Sequence, residues 1–173
     1  LDSAAHLHLT SQRPETAARL ETIATDRDVP VSFDPGRRLS DRDYGDLLDR
    51  VDVLFVNDRE AERLFADRGT DPGGWVADTE KIVVVKHGSA GATVYTAAET
   101  LTHPGFAIDP VDTTGAGDAF AAGFLWVLVE RGSLEPGFEG PKGVDRALTV
   151  GNACGALAAR REGARIDLDV EVL

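Results

Sequence analysis

The stretch DTTGAGD at residues 112–118 is a polar, glycine-rich turn, and it runs directly into the apolar segment AFAAGF at 119–124. Apolar side chains then recur at helical spacing as far as Leu128, which predicts a helix that begins near Ala116. The first N–H groups of a helix have no internal partners and lie at the positive end of the helix dipole, so they favour anions. Because Asp118 lies in this first turn, the stretch predicts an anion-binding helix N-terminus beside a carboxylate.

An anion-binding turn next to a carboxylate is the arrangement that phosphoryl transfer to an alcohol needs. In this hypothesis the N–H groups of Gly115, Ala116 and Gly117, with or without that of Asp118, hold the transferring phosphoryl group. The Asp118 carboxylate takes the proton of the attacking hydroxyl group as a general base. The alternative is a glycine-rich loop that only begins a helix, with Asp118 stabilising the helix dipole.

Residues 112–125 closely resemble the C-terminal signature of the ribokinase-like (PfkB) carbohydrate kinases. The resemblance implies a cytoplasmic enzyme that transfers phosphate from ATP to a hydroxyl group of a sugar or sugar acid, with Mg²⁺. Family members also carry an N-terminal part with a sugar-binding Gly-Gly signature and a small β lid, through which they usually form homodimers. Neither feature is visible here and the chain contains no methionine, so we expect a piece of a longer protein, inactive by itself.

Segments with the apolar pattern of strands alternate with segments of helical periodicity along the chain. The predicted strands are 5–10, 29–33, 51–56, 82–85, 92–96 and 100–107, and the predicted helices are 14–28, 40–50, one after Asn57, one from Ala116, and 144–159, with loops at 69–74 and 132–143. The alternation predicts one α/β domain over residues 1–173, with a doubly wound, mainly parallel sheet between helices. This is the ribokinase-like fold without its N-terminal lid part. The small residues of 144–159 predict close packing against the helix that carries Asp118.

The formal net charge is −12, and only three of the 18 basic residues are lysine. Surfaces rich in acids and poor in lysine suit high salt, where the repulsion between like charges is screened. We therefore expect a halophilic source, and an ordinary acidic protein is the alternative. The same charge argues against a nucleic-acid partner, since nucleic-acid binding uses basic patches.

The single cysteine, Cys154, excludes an internal disulfide and is interpreted as core packing. No apolar stretch is long enough to cross a membrane, so we expect no membrane association. His6 and His8 fall on one face of the first predicted strand. Because no further ligand is evident nearby, they are interpreted as strand residues rather than as a metal pair.

The turn 34–38, which reads DPGRR, follows the second predicted strand. Ligands of open α/β sheets bind beyond the carboxyl ends of strands. The turn resembles the family's D-x-N-x-R segment, and the resemblance implies that Asp34 and Arg38 contact substrate or phosphate, although Gly36 replaces the usual asparagine. A plain Pro-Gly turn with solvated arginines is the alternative.

Asn57 and Glu60 follow the third predicted strand. Their spacing is typical of a helix-capping box. It also matches the family's N-x-x-E motif, which implies that the pair acts on Mg²⁺ and the nucleotide phosphates, mostly through water. We favour the second interpretation here because the pair follows a strand and accompanies the Asp118 stretch.

The resemblance places three further groups of residues around ATP and a cation. Lys86, Gly88, Ser89 and Gly91, after the strand at 82–85, would line the ATP phosphates and ribose; the alternative is a simple hairpin turn. Asn152 would lie close to the adenine; the alternative is an exposed helix asparagine. A turn at Gly163-Ala164 would bind a monovalent cation such as K⁺, together with backbone near Asp112 and Thr114. His87 has no predicted role.

The sugar acceptor is not defined by these residues, and a keto-deoxy sugar acid or fructose is favoured over ribose or a nucleoside. Two alternatives to a sugar kinase stay open. One is a non-catalytic nucleotide-binding or regulatory relative, and the other is a ribokinase-like kinase that phosphorylates a vitamin-precursor alcohol.

Overall fold

A single mixed sheet organises the part of the chain that the computed structural model describes, which is residues 1, 3–77, 79, 81–132 and 143–163. Its strands lie in the order in which they occur along the chain: β1 Leu7–Thr10, β2 Val31–Asp34, β3 Val53–Asn57, β4 Ile82–Lys86, β5 Ala92–Tyr95 and β6 Thr100–His103. Strands β1 to β4 are parallel to one another, whereas β5 is antiparallel to β4 and β6 is antiparallel to β5. The predicted α/β class with a mainly parallel sheet is confirmed.

Helices cover both faces of the sheet. They are α1 Pro14–Thr25, α2 Asp58–Asp67, α3 Pro72–Val76, α4 Ala116–Glu130 and α5 Val144–Ala159. Successive residues of β3 point to opposite faces, so Leu54 packs in the core on the α1 and α2 side and Phe55 packs in the core beneath α4 and α5. No helix in the described ranges is long and apolar enough to cross a membrane.

Helices α4 and α5 pack closely because glycine leaves room between them. A Cβ atom at Gly123 would lie 2.6 Å from the Cys154 sulfur, and one at Gly151 would lie 3.1 Å from the Phe120 carbonyl oxygen. Cys154 is buried in this contact, as expected for a packing residue. The predicted contact between the two helices is therefore present.

The helix predicted over 40–50 is wrong. Two 3₁₀ helices, Gly36–Ser40 and Gly45–Asp49, occupy this region instead. Gly36 and Gly45 have φ angles of +54° and +50°, in the left-handed region that a continuing α-helix excludes. The Ser40 hydroxyl donates to the Arg37 carbonyl oxygen rather than capping a helix.

Several other boundaries differ from the predicted ones by up to four residues, and two of the differences have a local cause. The segment expected to be a loop at 69–74 contains the start of α3, where the Asp71 carboxylate accepts from the Gly74 N–H at 2.8 Å. Strand β6 ends at His103 rather than at 107, because Pro104 has no N–H to donate to the sheet. Most of the loop predicted at 132–143, and Ala164, lie outside the described residues.

Candidate functional site

A pocket of about 390 Å³ lies at the carboxyl end of β4, between the β4–β5 turn, the segment 105–110 and the helices α4 and α5. Many of the residues that the sequence predicted for a nucleotide site line it: Lys86, Gly88, Ser89, Gly91, Ala116, Gly117 and Asn152. These residues come from three separate parts of the chain. The structure therefore brings the two predicted glycine-rich turns and α5 to one cavity.

One wall of the pocket is mostly apolar and was not predicted. Phe106, Ile108, Ala156 and Ala159 line it. The Phe106 ring packs against the His103 ring with centroids 5.0 Å apart. Residues 105–108 carry no motif and lie beyond the end of β6, so only the folded chain shows that they face α5.

Asn152 lies in this wall with 7% of its surface exposed, so the alternative of an exposed helix asparagine is wrong. Its Nδ2 donates to the Leu148 carbonyl oxygen at 2.8 Å, one helical turn earlier. That bond fixes the side-chain amide and leaves its carbonyl oxygen without a partner among the described residues.

The N-terminus of α4 forms the other end of the pocket. Gly115 precedes the helix with a φ angle of +78°. The N–H groups of Gly115, Gly117 and Asp118 have no hydrogen-bond partner in the described structure, and Asp118 is exposed. The prediction that the Ala116 N–H binds the phosphoryl group is wrong. This N–H donates to the Thr113 carbonyl oxygen at 3.2 Å and is not free to bind an anion.

Lys86 brings a positive charge to this helix terminus. Its Nζ lies 3.4 Å from the position that a Cβ atom would take on Gly117. The same Nζ donates to Asp34 Oδ2 at 2.5 Å, and both side chains are largely buried. Asp34 thus holds the lysine in place, since its other oxygen accepts from the Gly36 N–H at 3.0 Å.

Arg38 was predicted together with Asp34 but does not line the pocket. It is exposed in the 3₁₀ helix Gly36–Ser40, and its side chain has no partner among the described residues. Asp34 does not line the pocket either, so the contact of both residues with substrate stays a prediction.

Asn57 and Glu60 form the capping box that their spacing indicates. Asn57 Oδ1 accepts from the Glu60 N–H at 3.0 Å, and Glu60 Oε2 accepts from the Asn57 N–H at 2.9 Å. Asn57 also pairs with Lys86 in the register of β3 and β4, which places the cap beside the lysine. Burial raises the pKa of the Glu60 carboxyl group, while its bond from the Asn57 N–H and the charge of Lys86 act in the opposite direction.

Asp112 connects the turn before α4 to the chain after α5. Its Oδ1 accepts from the Thr114 N–H at 2.8 Å and its Oδ2 from the Gly163 N–H at 3.0 Å. Hydrogen bonds from Thr114 and then from Gly163 hold the pKa of Asp112 below its ordinary value. The three residues predicted for a monovalent cation therefore lie together, although the cation itself is a proposal.

His6 and His8 both hydrogen-bond to the buried hydroxyl group of Ser32, at 2.7 and 2.6 Å. Within the described ranges, no three or more His, Cys, Asp or Glu side chains come together as a group that could hold a metal ion. The His8 ring packs edge-on against Phe55 with centroids 5.8 Å apart, so it lies on the face of the sheet that α4 and α5 cover. Burial lowers the pKa of His8, and the charges of Asp34 and Asp118 oppose this shift.

The fold and the site together define an α/β protein with a mostly apolar pocket that ends at a helix N-terminus with unpaired N–H groups. Residues 1–171 match the family described as "pfkB family carbohydrate kinase". The chain belongs to this family, as its resemblance to the ribokinase-like signature predicted.

Curated relatives and solved structures agree with this assignment. The chain is 53% identical over 163 residues to an ATP-dependent ribose-1-phosphate kinase of Halopiger xanaduensis; the match covers 94% of this chain and 51% of that protein. A Vibrio cholerae fructokinase solved with fructose, ADP and potassium is 27% identical, with a TM-score of 0.73, over 93% of this chain and 56% of that one. A Methanocaldococcus jannaschii nucleoside kinase shares the fold, with a TM-score of 0.79 at 24% identity, over 95% of this chain and 52% of that one. The chain thus spans about half the length of the relatives that it matches.

Proposed function

We propose that the protein containing this chain transfers the γ-phosphate of ATP to a hydroxyl group of a sugar, and that this chain supplies the nucleotide site and the catalytic base. The observation that carries the proposal is the pocket that joins an apolar wall to the open N-terminus of α4, where the exposed Asp118 directly follows the lining residue Gly117. A volume of about 390 Å³ lies in the range of about 300–1,000 Å³ that small-molecule and cofactor sites occupy.

The two ends of the pocket suit the two ends of a nucleotide. The apolar wall at Phe106 and Ala156 offers a surface for the base, and the free oxygen of Asn152 can accept a hydrogen bond from it. The turn at Gly88 and Ser89 can approach the ribose and phosphates closely. In this assignment the base lies between the segment after β6 and α5, and the ribose and phosphates lie along the β4–β5 turn.

The chemistry would take place at the start of α4. The carboxylate of Asp118 accepts the proton of the attacking hydroxyl group. The N–H groups of Gly117 and Asp118, and the ammonium group of Lys86, stabilise the negative charge on the phosphoryl oxygens. Ala116 is left out of this set because its N–H already has a partner.

Mg²⁺ and K⁺ fit the donors that are present. Glu60 uses one carboxylate oxygen in the capping box, so its other oxygen can hold a water molecule of Mg²⁺, with Asn57 beside it. A bound Mg²⁺ would neutralise charge on the ATP phosphates. The carbonyl and carboxylate oxygens near Asp112, Thr114 and Gly163 are of the type that bind K⁺.

We place ribose 1-phosphate first among the acceptors, because the relative at 53% identity carries that name. The sequence alone favoured a keto-deoxy sugar acid or fructose, and the fructokinase similarity keeps fructose second. A non-catalytic relative and a kinase for a vitamin-precursor alcohol are the two alternatives, and an assay with a panel of acceptors distinguishes them from a sugar kinase.

The test is a coupled ADP-release assay on the native-length protein that contains this chain, with Mg-ATP, high potassium and a panel of acceptors. The panel holds ribose 1-phosphate, ribose, fructose, a keto-deoxy sugar acid and a hydroxymethylpyrimidine alcohol. Turnover with a sugar that is lost in Asp118→Asn supports the proposal. Calorimetric binding of Mg-ATP without turnover on any acceptor would favour the regulatory alternative, and turnover on the pyrimidine alcohol alone would favour the vitamin-precursor kinase.

A further inference from the structure

His87 lies between the two halves of the proposed ATP site, although neither the sequence nor the proposed chemistry gives it a role. It follows Lys86 directly and precedes the Gly88–Ala90 turn that lines the pocket. Its Nδ1 lies 2.5 Å from Asp58 Oδ1, and its Nε2 lies 2.9 Å from the Thr93 hydroxyl group. One imidazole ring therefore contacts the first residue of α2 and the strand after the turn.

The contacts of His87 continue across the sheet. The Thr93 hydroxyl group lies 3.1 Å from that of Thr102, its register partner on β6. Asp58, His87, Thr93 and Thr102 thus form one hydrogen-bonded chain from α2 to β6. Strand β6 leads into the segment 105–108 that lines the apolar wall of the pocket.

The chain can be satisfied in either protonation state of the imidazole. A carboxylate only accepts, so Nδ1 carries a proton and donates to Asp58. In the neutral ring, Nε2 accepts from Thr93, which in turn accepts from Thr102; in the charged ring, both of these bonds reverse. Every member therefore keeps a partner, which is the condition for a polar network to hold a fixed geometry.

We propose that His87 is a positioning residue that fixes the start of α2 relative to the Gly88–Ala90 turn. It would thereby keep Asn57 and Glu60, on the metal side, at a constant distance from the backbone that approaches the phosphates. The inference rests on the proposed function, because it assigns these two elements to the two sides of Mg-ATP. It concerns only residues of this chain, and His87 itself does not contact the nucleotide.

A purely structural role is the competing explanation. The Asp58 side chain is 64% exposed and that of His87 is 25% exposed. Pairs this exposed contribute little to the stability of a fold. A selective loss of Mg-nucleotide binding in a folded variant therefore separates positioning from simple stabilisation.

The experiment measures Mg-ATP and metal-free ADP binding by calorimetry on the native-length protein. The variants are His87→Ala, Asp58→Ala, the double variant and His87→Asn, whose amide can replace the Nδ1 donor. Asp67→Ala is the matched control, because it makes the same change at the other end of α2, where the carboxylate is exposed.

We expect His87→Ala and Asp58→Ala each to weaken Mg-ATP binding about fivefold. The double alanine variant should bind no more weakly than the more affected of these two, since coupled residues are not additive. Metal-free ADP binding should change less than twofold by the same reasoning. His87→Asn should recover most of the affinity, and Asp67→Ala should bind as the wild type does. If His87→Ala does not fold, His87→Asn and Asp58→Ala carry the test.

Wild-type affinity in the single variants, effects that multiply in the double variant, or an equal loss in Asp67→Ala would overturn the inference. Failure of the proposed function is visible separately. A wild-type protein that binds Mg-ATP but phosphorylates no sugar overturns the function and leaves this binding test intact, whereas a protein that binds no Mg-ATP overturns both.

Discussion

Two glycine-rich turns meet in the pocket, and they need their glycines for different reasons. At Gly91, with φ +87°, a Cβ atom would lie 1.9 Å from the His103 carbonyl oxygen, so the packing of β6 against the turn excludes any side chain. At Gly117, apart from its chain neighbours and the backbone of its own helix, the only described atom within 4 Å of such a Cβ is Lys86 Nζ, at 3.4 Å. The space in front of Gly117 is thus not filled by the fold, which is what a site reserved for an anion requires. Gly91 is thus required for packing in the wall of the pocket, whereas Gly117 faces the open space in which we propose that the phosphates bind.

Asp118→Asn tests the functional side of this contrast and should have the largest effect. Loss of the proposed base should lower kcat by about 10²–10⁴-fold, because the amide cannot take the hydroxyl proton. ATP affinity should stay near the wild-type value, measured by calorimetry beside a steady-state assay. Asp145→Asn is the control, since Asp145 lies in the first turn of α5 after a second left-handed glycine, Gly143. An Asp118→Asn enzyme with wild-type kcat would remove this residue from the chemistry.

Gly91→Ala tests the structural side. The methyl group would overlap backbone atoms of β6, so we expect the free energy of unfolding to fall by about 3–5 kcal/mol, as for severe steric substitutions. Urea denaturation followed by circular dichroism measures the change. Gly88→Ala is the matched comparison, because Gly88 also has a positive φ angle, +62°, but has no atom within 4 Å of its Cβ position. It should lose only about 1–2 kcal/mol from backbone strain, and equal losses in the two variants would contradict the packing argument.

Gly117→Ala should separate activity from stability. The residue is helical, and alanine is favoured over glycine in a helix by about 1 kcal/mol, so the fold should be unharmed. The methyl group would occupy the approach to the Gly117 N–H and to Lys86, and we expect kcat to fall about 10²-fold, as when one oxyanion donor is lost. Steady-state kinetics and urea denaturation on the same sample check both parts. A fully active Gly117→Ala enzyme would mean that the space in front of this glycine is not used.

The contrast between the two turns also explains what the sequence could predict. The helix that begins at Ala116 and the helix Val144–Ala159 follow from periodicity and from small residues, which are local signals. The need for glycine at 91 depends on His103, and the position of Lys86 depends on Asp34, which lies 52 residues earlier. Contacts of this kind exist only after the sheet has formed, so the pattern alone indicated which residues gather at the site but not how they hold one another.

The same limit accounts for the errors. The segment 40–50 has enough apolar residues for a helix, but its one glycine, Gly45, adopts a left-handed φ angle that only the packed chain selects. The Ala116 N–H was counted as free because a local turn to Thr113 overlaps the start of the helix. The partners of His87 lie on α2 and β5, and no residue adjacent to it in the chain indicates them.

Asp112→Asn should have the smallest effect and tests whether the turn before α4 is held from outside the pocket. Asp112 accepts from the N–H groups of Thr114 and Gly163, which is why its pKa lies below the ordinary value. A group whose pKa is lowered by folding contributes stability above its unfolded pKa and loses it as the pH falls through the folded value. At neutral pH the native carboxylate is therefore fully charged, and the amide removes that charge from the proposed cation site.

For Asp112→Asn we expect the potassium concentration for half-maximal activity to rise about two- to fivefold, with kcat at saturating potassium nearly unchanged. A titration with KCl at constant ionic strength measures this, and Asp109→Asn, an exposed carboxylate in the preceding segment, is the control. An unchanged potassium response in Asp112→Asn would leave Asp112 as a tether between the two chain segments and would place the cation elsewhere.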